Sequence, residues 1–106
     1  MSEENMYEIG DKKYVINYHA GTFRLVVISN YKYSRVDIRF LKAMKYLKIY
    51  LYGIEDKKIY HDLTEAECNM LEARIKETLE GLNRNENNIN ELFKYIVMTY
   101  AKTYIY

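Results

Sequence analysis

Two stretches in the middle of the chain alternate strictly between apolar and polar residues, and they constrain the fold more than any other feature. In Arg35-Val36-Asp37-Ile38-Arg39-Phe40, the residues Val36, Ile38 and Phe40 interleave with Arg35, Asp37 and Arg39. From Tyr46 to Tyr52, Leu47, Ile49 and Leu51 interleave with Tyr46, Lys48, Tyr50 and Tyr52. A period of two sends successive side chains to opposite faces of a strand, so each stretch is predicted as a strand with one buried and one solvated face. A helical alternative exists, because Phe40, Met44, Leu47 and Leu51 also fall at a/d spacing. The clean alternation and the β-branched and aromatic content favour strand.

The rest of the chain extends this pattern. Tyr14 to Tyr18 reads as a strand, Ala20-Gly21 as a tight turn, and Phe23 to Ser29 as a second strand of the same hairpin. Gly53 to Lys57 is a turn, and Lys58 to Asp62 a short return strand. Thr64 with Glu67 forms a capping box that opens a helix, with Leu71, Ile75, Leu79 and Leu82 as its apolar stripe and Gly81 or Asn83 as its end. A second helix is predicted from about Asn88 to Thr103, with Ile89, Leu92, Phe93, Ile96, Val97, Tyr100 and Tyr104 on one face. That stripe either closes the domain's own core or pairs with a second copy. Strands followed by helices predict an α+β fold: an antiparallel meander of four to five strands, then two C-terminal helices packed on one face. Residues 1–5 are expected to be a disordered tail and 6–106 a single domain.

Charge and aromatic content point to what the uncovered face does. From Asp11 to His61 there are eleven Lys/Arg against four acids, a formal charge of +7, although the whole chain carries only +1. Residues 62–106 carry eight acids against five bases. An antiparallel sheet covered on one side leaves the other open to water, and the charged and tyrosine positions of the alternating strands fall on that open side. Lys and Arg neutralise phosphates, and tyrosine rings stack on bases without reading them. Arg35, Arg39, Lys48, Tyr50 and Tyr52 are therefore candidate contacts to single-stranded nucleic acid.

Catalysis finds little support. His19 and His61 lack metal-binding spacing, Cys68 is the sole cysteine, and no phosphate-binding glycine loop is present. No catalytic residue, metal or cofactor is expected, nor a small-molecule substrate. No apolar run is long enough for a membrane span, and the acidic start is unlike a secretory signal, so a cytoplasmic or nucleoid protein is expected. A protein-binding regulatory or inhibitor module, such as a viral one, is the alternative use of the same face.

The opening Asn5-Met6-Tyr7-Glu8-Ile9-Gly10-Asp11-Lys12-Lys13-Tyr14-Val15 resembles the start of the single-stranded DNA-binding domain of the transcriptional coactivator PC4 family. Gly21 is similar to the family's hairpin glycine, Asp37-Ile38-Arg39 to its Asp-Ile-Arg strand, and Lys57-Lys58-Ile59 running into Leu63-Thr64-Glu65-Ala66-Glu67 to its basic strand and helix start. Departures are clear. Asp37-Ile38-Arg39 lies farther from Gly10 than in the family, which implies an inserted strand. Cys68 stands at the family's helix tryptophan, and the second helix is additional. The resemblance, over residues 5–82, implies a homodimer that binds single-stranded DNA in transcription, replication or repair. By position it implies contacts from Lys12, Lys13, Arg24, Lys57 and Lys58.

Overall fold

The computed structural model describes residues 5–30 and 33–101. Six strands follow one another as an antiparallel meander in the order β1-β2-β3-β4-β5-β6. They are β1 (Asn5–Ile9), β2 (Lys12–His19), β3 (Thr22–Ile28), β4 (Tyr33–Leu41), β5 (Tyr46–Gly53) and β6 (Lys57–Asp62). Helices α1 (Glu65–Gly81) and α2 (Asn87–Tyr100) follow. The fold is α+β, and Arg35 to Tyr52 is strand apart from a short 3-10 turn at Lys42–Met44 and the left-handed Lys45 that ends it.

The expected strand count falls short by one at the N-terminus. β1 begins at Asn5, which the sequence reading placed in the tail, and it pairs with β2 through Met6↔Val15 and Glu8↔Lys13. Gly10, at φ +62°, and Asp11 fold it back in two residues. Glycine suits that position because other L-residues adopt positive φ only at a cost. Ala20 (φ +51°) and Gly21 (φ +77°) make the next two-residue turn, and two positive φ values in succession are the type I′ signature that matches strand twist.

Tight turns fix the register, and register decides faces. Tyr14, Ile16, Phe23, Leu25, Val27, Val36, Ile38, Phe40, Leu47, Ile49, Leu51 and Ile59 are buried and share one face of the sheet. At the start of β4 a bulge breaks the alternation: Tyr33 pairs with Gly53 and Arg35 with Tyr52. Tyr33 thereby joins the buried core instead of sharing Arg35's face.

Both helices cover that face. The Thr64 hydroxyl accepts from the Glu67 amide at 3.1 Å and the Glu67 carboxylate accepts from the Thr64 amide at 2.9 Å, so the expected capping box is present. Cys68, Leu71 and Ile75 of α1 and Ile89, Leu92, Ile96 and Val97 of α2 are buried. The apolar stripe of α2 is thus spent on the chain's own core; its expected continuation through Tyr104 lies outside the described residues. Tyr14 donates to Asn90 Oδ1, its ring meets Phe93 edge-on at 6.1 Å, and His61 Nε2 lies 2.9 Å from the Tyr100 carbonyl. α2 therefore spans the sheet from β2 to β6.

Gly81 does not terminate α1 by a left-handed turn. It is the last helical residue, and the following Leu82 is right-handed. Its glycine identity has another cause: a Cβ there would lie 2.7 Å from Asn88 Nδ2, whose amide donates to the Gly81 carbonyl at 3.3 Å. Among the described residues no helix is long and apolar enough to cross a membrane.

Candidate functional site

The face away from the helices is built by the residues between the buried ones. Register aligns them in rows across the strands. Val26, Asp37, Tyr50 and Lys58 form one row; Ile28, Arg35 and Tyr52 form the next. On the other side of Asp37 come Arg24, Arg39, Lys48 and Tyr60, and beyond them Leu41, Tyr46 and Asp62.

Asp37 is the centre of this surface and is only 1% exposed. A carboxylate so enclosed must be paired, and three arginines converge on it. Arg24 reaches it through two bonds, Nε to Oδ1 at 3.2 Å and Nη2 to Oδ2 at 2.8 Å. Arg39 does the same at 3.4 and 3.3 Å. Arg35 Nη2 lies 3.6 Å from Oδ2. Burial on its own pushes the Asp37 pKa up, but the bonds and charges of Arg24 and Arg39 outweigh it and hold the carboxyl below its ordinary value. Two of the arginines flank Asp37 on its own strand and the third comes from β3, so the cluster exists only in this register.

Tyrosines form a second group beside the first. Ring centroids of Tyr46 and Tyr60 are 6.0 Å apart, those of Tyr60 and Tyr50 6.3 Å, and those of Tyr50 and Tyr52 6.3 Å. The cations lean on them. Arg35 lies 5.7 Å from the Tyr52 centroid, Arg39 5.6 Å from Tyr50, Lys48 4.9 Å from Tyr46 and Lys58 5.9 Å from Tyr50. Such contacts hold each cation and ring in a defined relation at about 0.5–1 kcal/mol apiece near a surface. A hydrogen bond with Tyr46 raises the Lys48 pKa, and one with Tyr50 raises that of Tyr60.

Of the residues expected at the site, Arg24, Arg35, Arg39, Lys48, Tyr50, Tyr52 and Lys58 come together on this face. Lys13 is on the same face but stands on β2 beside Ile28, 4.0 Å from the Glu8 carboxylate. Lys12 and Lys57 belong to the other side. Lys12 pairs with Ile9 and keeps the parity of Tyr14; Lys57 pairs with Leu51, keeps the parity of Ile59 and meets Glu55 at 3.0 Å. Two further lysines in the basic segment also serve the helix side, Lys42 binding Glu72 at 2.8 Å and Lys45 binding Glu65 at 2.9 Å. The segment's +7 is therefore larger than the charge on the open face. Between β3 and β6 that face carries Arg24, Arg35, Arg39, Lys48 and Lys58 against Asp37 and Asp62, a formal +3.

Tyr46 and Tyr60 were not among the expected contacts. Their signal was present, because Tyr46 shares the parity of Tyr50, and Tyr60 alternates with the buried Ile59. Towards β1 the open face changes character: Met6, Val15, Val26 and Ile28 bring apolar side chains to it, beside the Lys13–Glu8 pair. Among the described residues no group of three His, Cys, Asp or Glu side chains is placed to hold a metal ion. Cys68 is buried, which raises its pKa, and so lacks the setting of a reactive thiolate.

Comparison with family models, with curated proteins and with solved structures gives no match.

Proposed function

We propose that this protein binds single-stranded nucleic acid, without sequence preference, on the helix-free face of its sheet between β3 and β6. One observation carries the reading: three guanidinium groups gathered at Asp37 stand beside four tyrosine rings on a single uncovered surface. Arginine forks complement phosphate oxygens, and aromatic rings offer stacking area to any base. Binding of this kind fits an accessory role in transcription, replication or repair. The resemblance of residues 5–82 to the PC4 family supports the same reading and adds a homodimer to the proposal.

Fluorescence anisotropy with a labelled 20-mer, titrated over a salt series, tests it. Each phosphate neutralised on a single strand contributes about −0.7 to the slope of log K against log salt, so five cations set a limit of about −3.5. The expected slope lies between about −2 and that limit, with the matching duplex bound at least about tenfold more weakly. A flat salt dependence, or equal affinity for the duplex, overturns the proposal. Capture of a protein partner that survives nuclease treatment, with no strand affinity, supports a regulatory protein-binding module instead.

A further inference from the structure

The arginines and the tyrosines of the open face are not intermixed, although Lys48 on β5 and Lys58 on β6 stand among the rings. Arg24, Arg35 and Arg39 stand on β3 and β4, while Tyr50 and Tyr52 stand on β5 with Tyr60 beyond them on β6. Tyr46 extends the ring series along β5. Both series run parallel to the strands, side by side, and Tyr46 to Tyr52 covers about 20 Å at the ordinary strand rise. Where they touch, an arginine lies 5.6–5.7 Å from a ring centre.

Resting on the single-strand reading above, we propose that these series are two separate lanes: the sugar-phosphate backbone follows the arginines along β3 and β4, and the bases lie over the tyrosines of β5 and β6. The strand therefore runs along the β-strands, and each chain takes about four nucleotides, at the short end of the range for sheet-based single-strand binders.

Spacing explains why the ligand is a single strand. Bases stacked in a duplex rise about 3.4 Å per step. The rings stand 6.0–6.3 Å apart, nearly twice that. A strand with successive bases on successive rings is pulled out of its own stack, which a paired strand resists. The guanidinium charge lies on one side of the rings, while Lys48 and Lys58 stand among them. Beyond the arginines the row through Asp37 turns apolar at Val26, Val15 and Met6, so the guanidinium series is bounded on that side. Asp37 is a positioning residue in this scheme. It draws the guanidinium groups into one lane, with 41–47% of each arginine side chain still exposed.

Two probes separate the lanes: an ordinary labelled 20-mer, and a 20-mer sugar-phosphate chain of abasic sites. Tyr60→Leu is the ring variant of choice, because Tyr60 is 53% exposed on the edge strand and its loss leaves the core alone; Tyr52→Leu serves as a second. Arg35→Gln is the backbone variant, because Arg35 is the arginine farthest from Asp37. Each tyrosine variant is expected to weaken the ordinary strand roughly tenfold and the abasic chain less than about twofold. Arg35→Gln is expected to weaken both probes by the same factor and to lower the salt slope by about 0.7. If the tyrosine variants weaken the abasic chain as much as the ordinary one, or if Arg35→Gln spares it, the two-lane assignment is wrong while strand binding stands. If the wild-type protein binds neither probe, the proposed function fails and takes the lanes with it.

Discussion

Replacing Asp37 by Asn keeps the shape of the side chain and removes the charge on which Arg24, Arg35 and Arg39 converge. The cost follows from the geometry. Breaking a buried ion pair by neutralising one partner costs about 3–5 kcal/mol when the other charge is left stranded. Here the buried partner is the one neutralised. The arginines are 41–47% exposed, so water takes over part of what Asp37 supplied. Asn still accepts hydrogen bonds through Oδ1, yet it cannot receive four charge-assisted bonds, and three like charges now face one another across β3 and β4. We expect Asp37→Asn to lose about 2–3 kcal/mol, at or below the bottom of that range because the arginines keep their water. In a domain near this size that corresponds to a fall in Tm of roughly 10–20 °C.

Urea unfolding followed by circular dichroism reads this directly, and pH gives a second check on cause. The folded-state pKa of Asp37 is lowered, so its contribution is fully present above the unfolded carboxylate value of about 3.9 and is lost as pH falls through the folded pKa. The stability gap between wild type and Asp37→Asn should therefore be constant from pH 7 to about 5 and narrow in acid. A gap below about 0.5 kcal/mol at pH 7, the level of an ordinary surface substitution, would refute the reasoning. So would a gap that widens as pH falls.

Two further outcomes test the frame that holds the site. Ala20 sits at φ +51° in the turn between β2 and β3, a conformation that Asn tolerates better than Ala, so Ala20→Asn should add about 0.5–1 kcal/mol and raise Tm by several degrees; a fall would mean that the turn is not type I′. Tyr14 is buried under α2, and burial, with a smaller push from the Asp11 charge, raises its phenol from 10.0 to about 12. A raised folded pKa on an acid means that the unfolded chain ionises first, so stability should fall as pH rises from 10 towards 12. Tyr14→Phe should remove that part of the alkaline loss while costing about 1 kcal/mol at neutral pH for the bond to Asn90. An unchanged alkaline profile in the variant would place the loss elsewhere.

Periodicity made much of the fold legible. Val36, Ile38 and Phe40, and Leu47, Ile49 and Leu51, alternate because they meet helices on one side and water on the other, and the structure buries all six. The Thr64–Glu67 box was equally readable, since capping is local chemistry. β1 was harder. Asn5–Ile9 has little β-branched content, and it is extended because Gly10-Asp11 folds it onto β2, a pairing that propensity does not register. Lys12 and Lys57 were named by position in the family resemblance together with their neighbours Lys13 and Lys58, and neighbours on a strand face opposite ways, so one of each pair turns from the open face. The bulge at Tyr33 is a two-against-one pairing, which a single strand's sequence cannot announce.

The site itself sets a limit on what one strand can reveal. Arg35, Asp37 and Arg39 fall on one side of β4 by alternation alone, but that says nothing of whether Asp37 is exposed or enclosed. Enclosure needs Arg24, and Arg24 arrives because β3 pairs with β4 through Arg24↔Arg39 and Val26↔Asp37. That register is held at one end by Thr22↔Leu41 and by the Lys42 amide bonding the Gly21 carbonyl at 3.0 Å. A slip of one residue would turn Arg24 towards the helices and bring Leu25 or Phe23 to the open face, since every side chain changes sides together. The two-residue turn at Ala20-Gly21, which holds no arginine itself, is thus part of what assembles the arginine cluster. A sequence reader who counts charges sees the ingredients of that cluster, whereas the meeting of three arginines at one carboxylate is a property of strand registration.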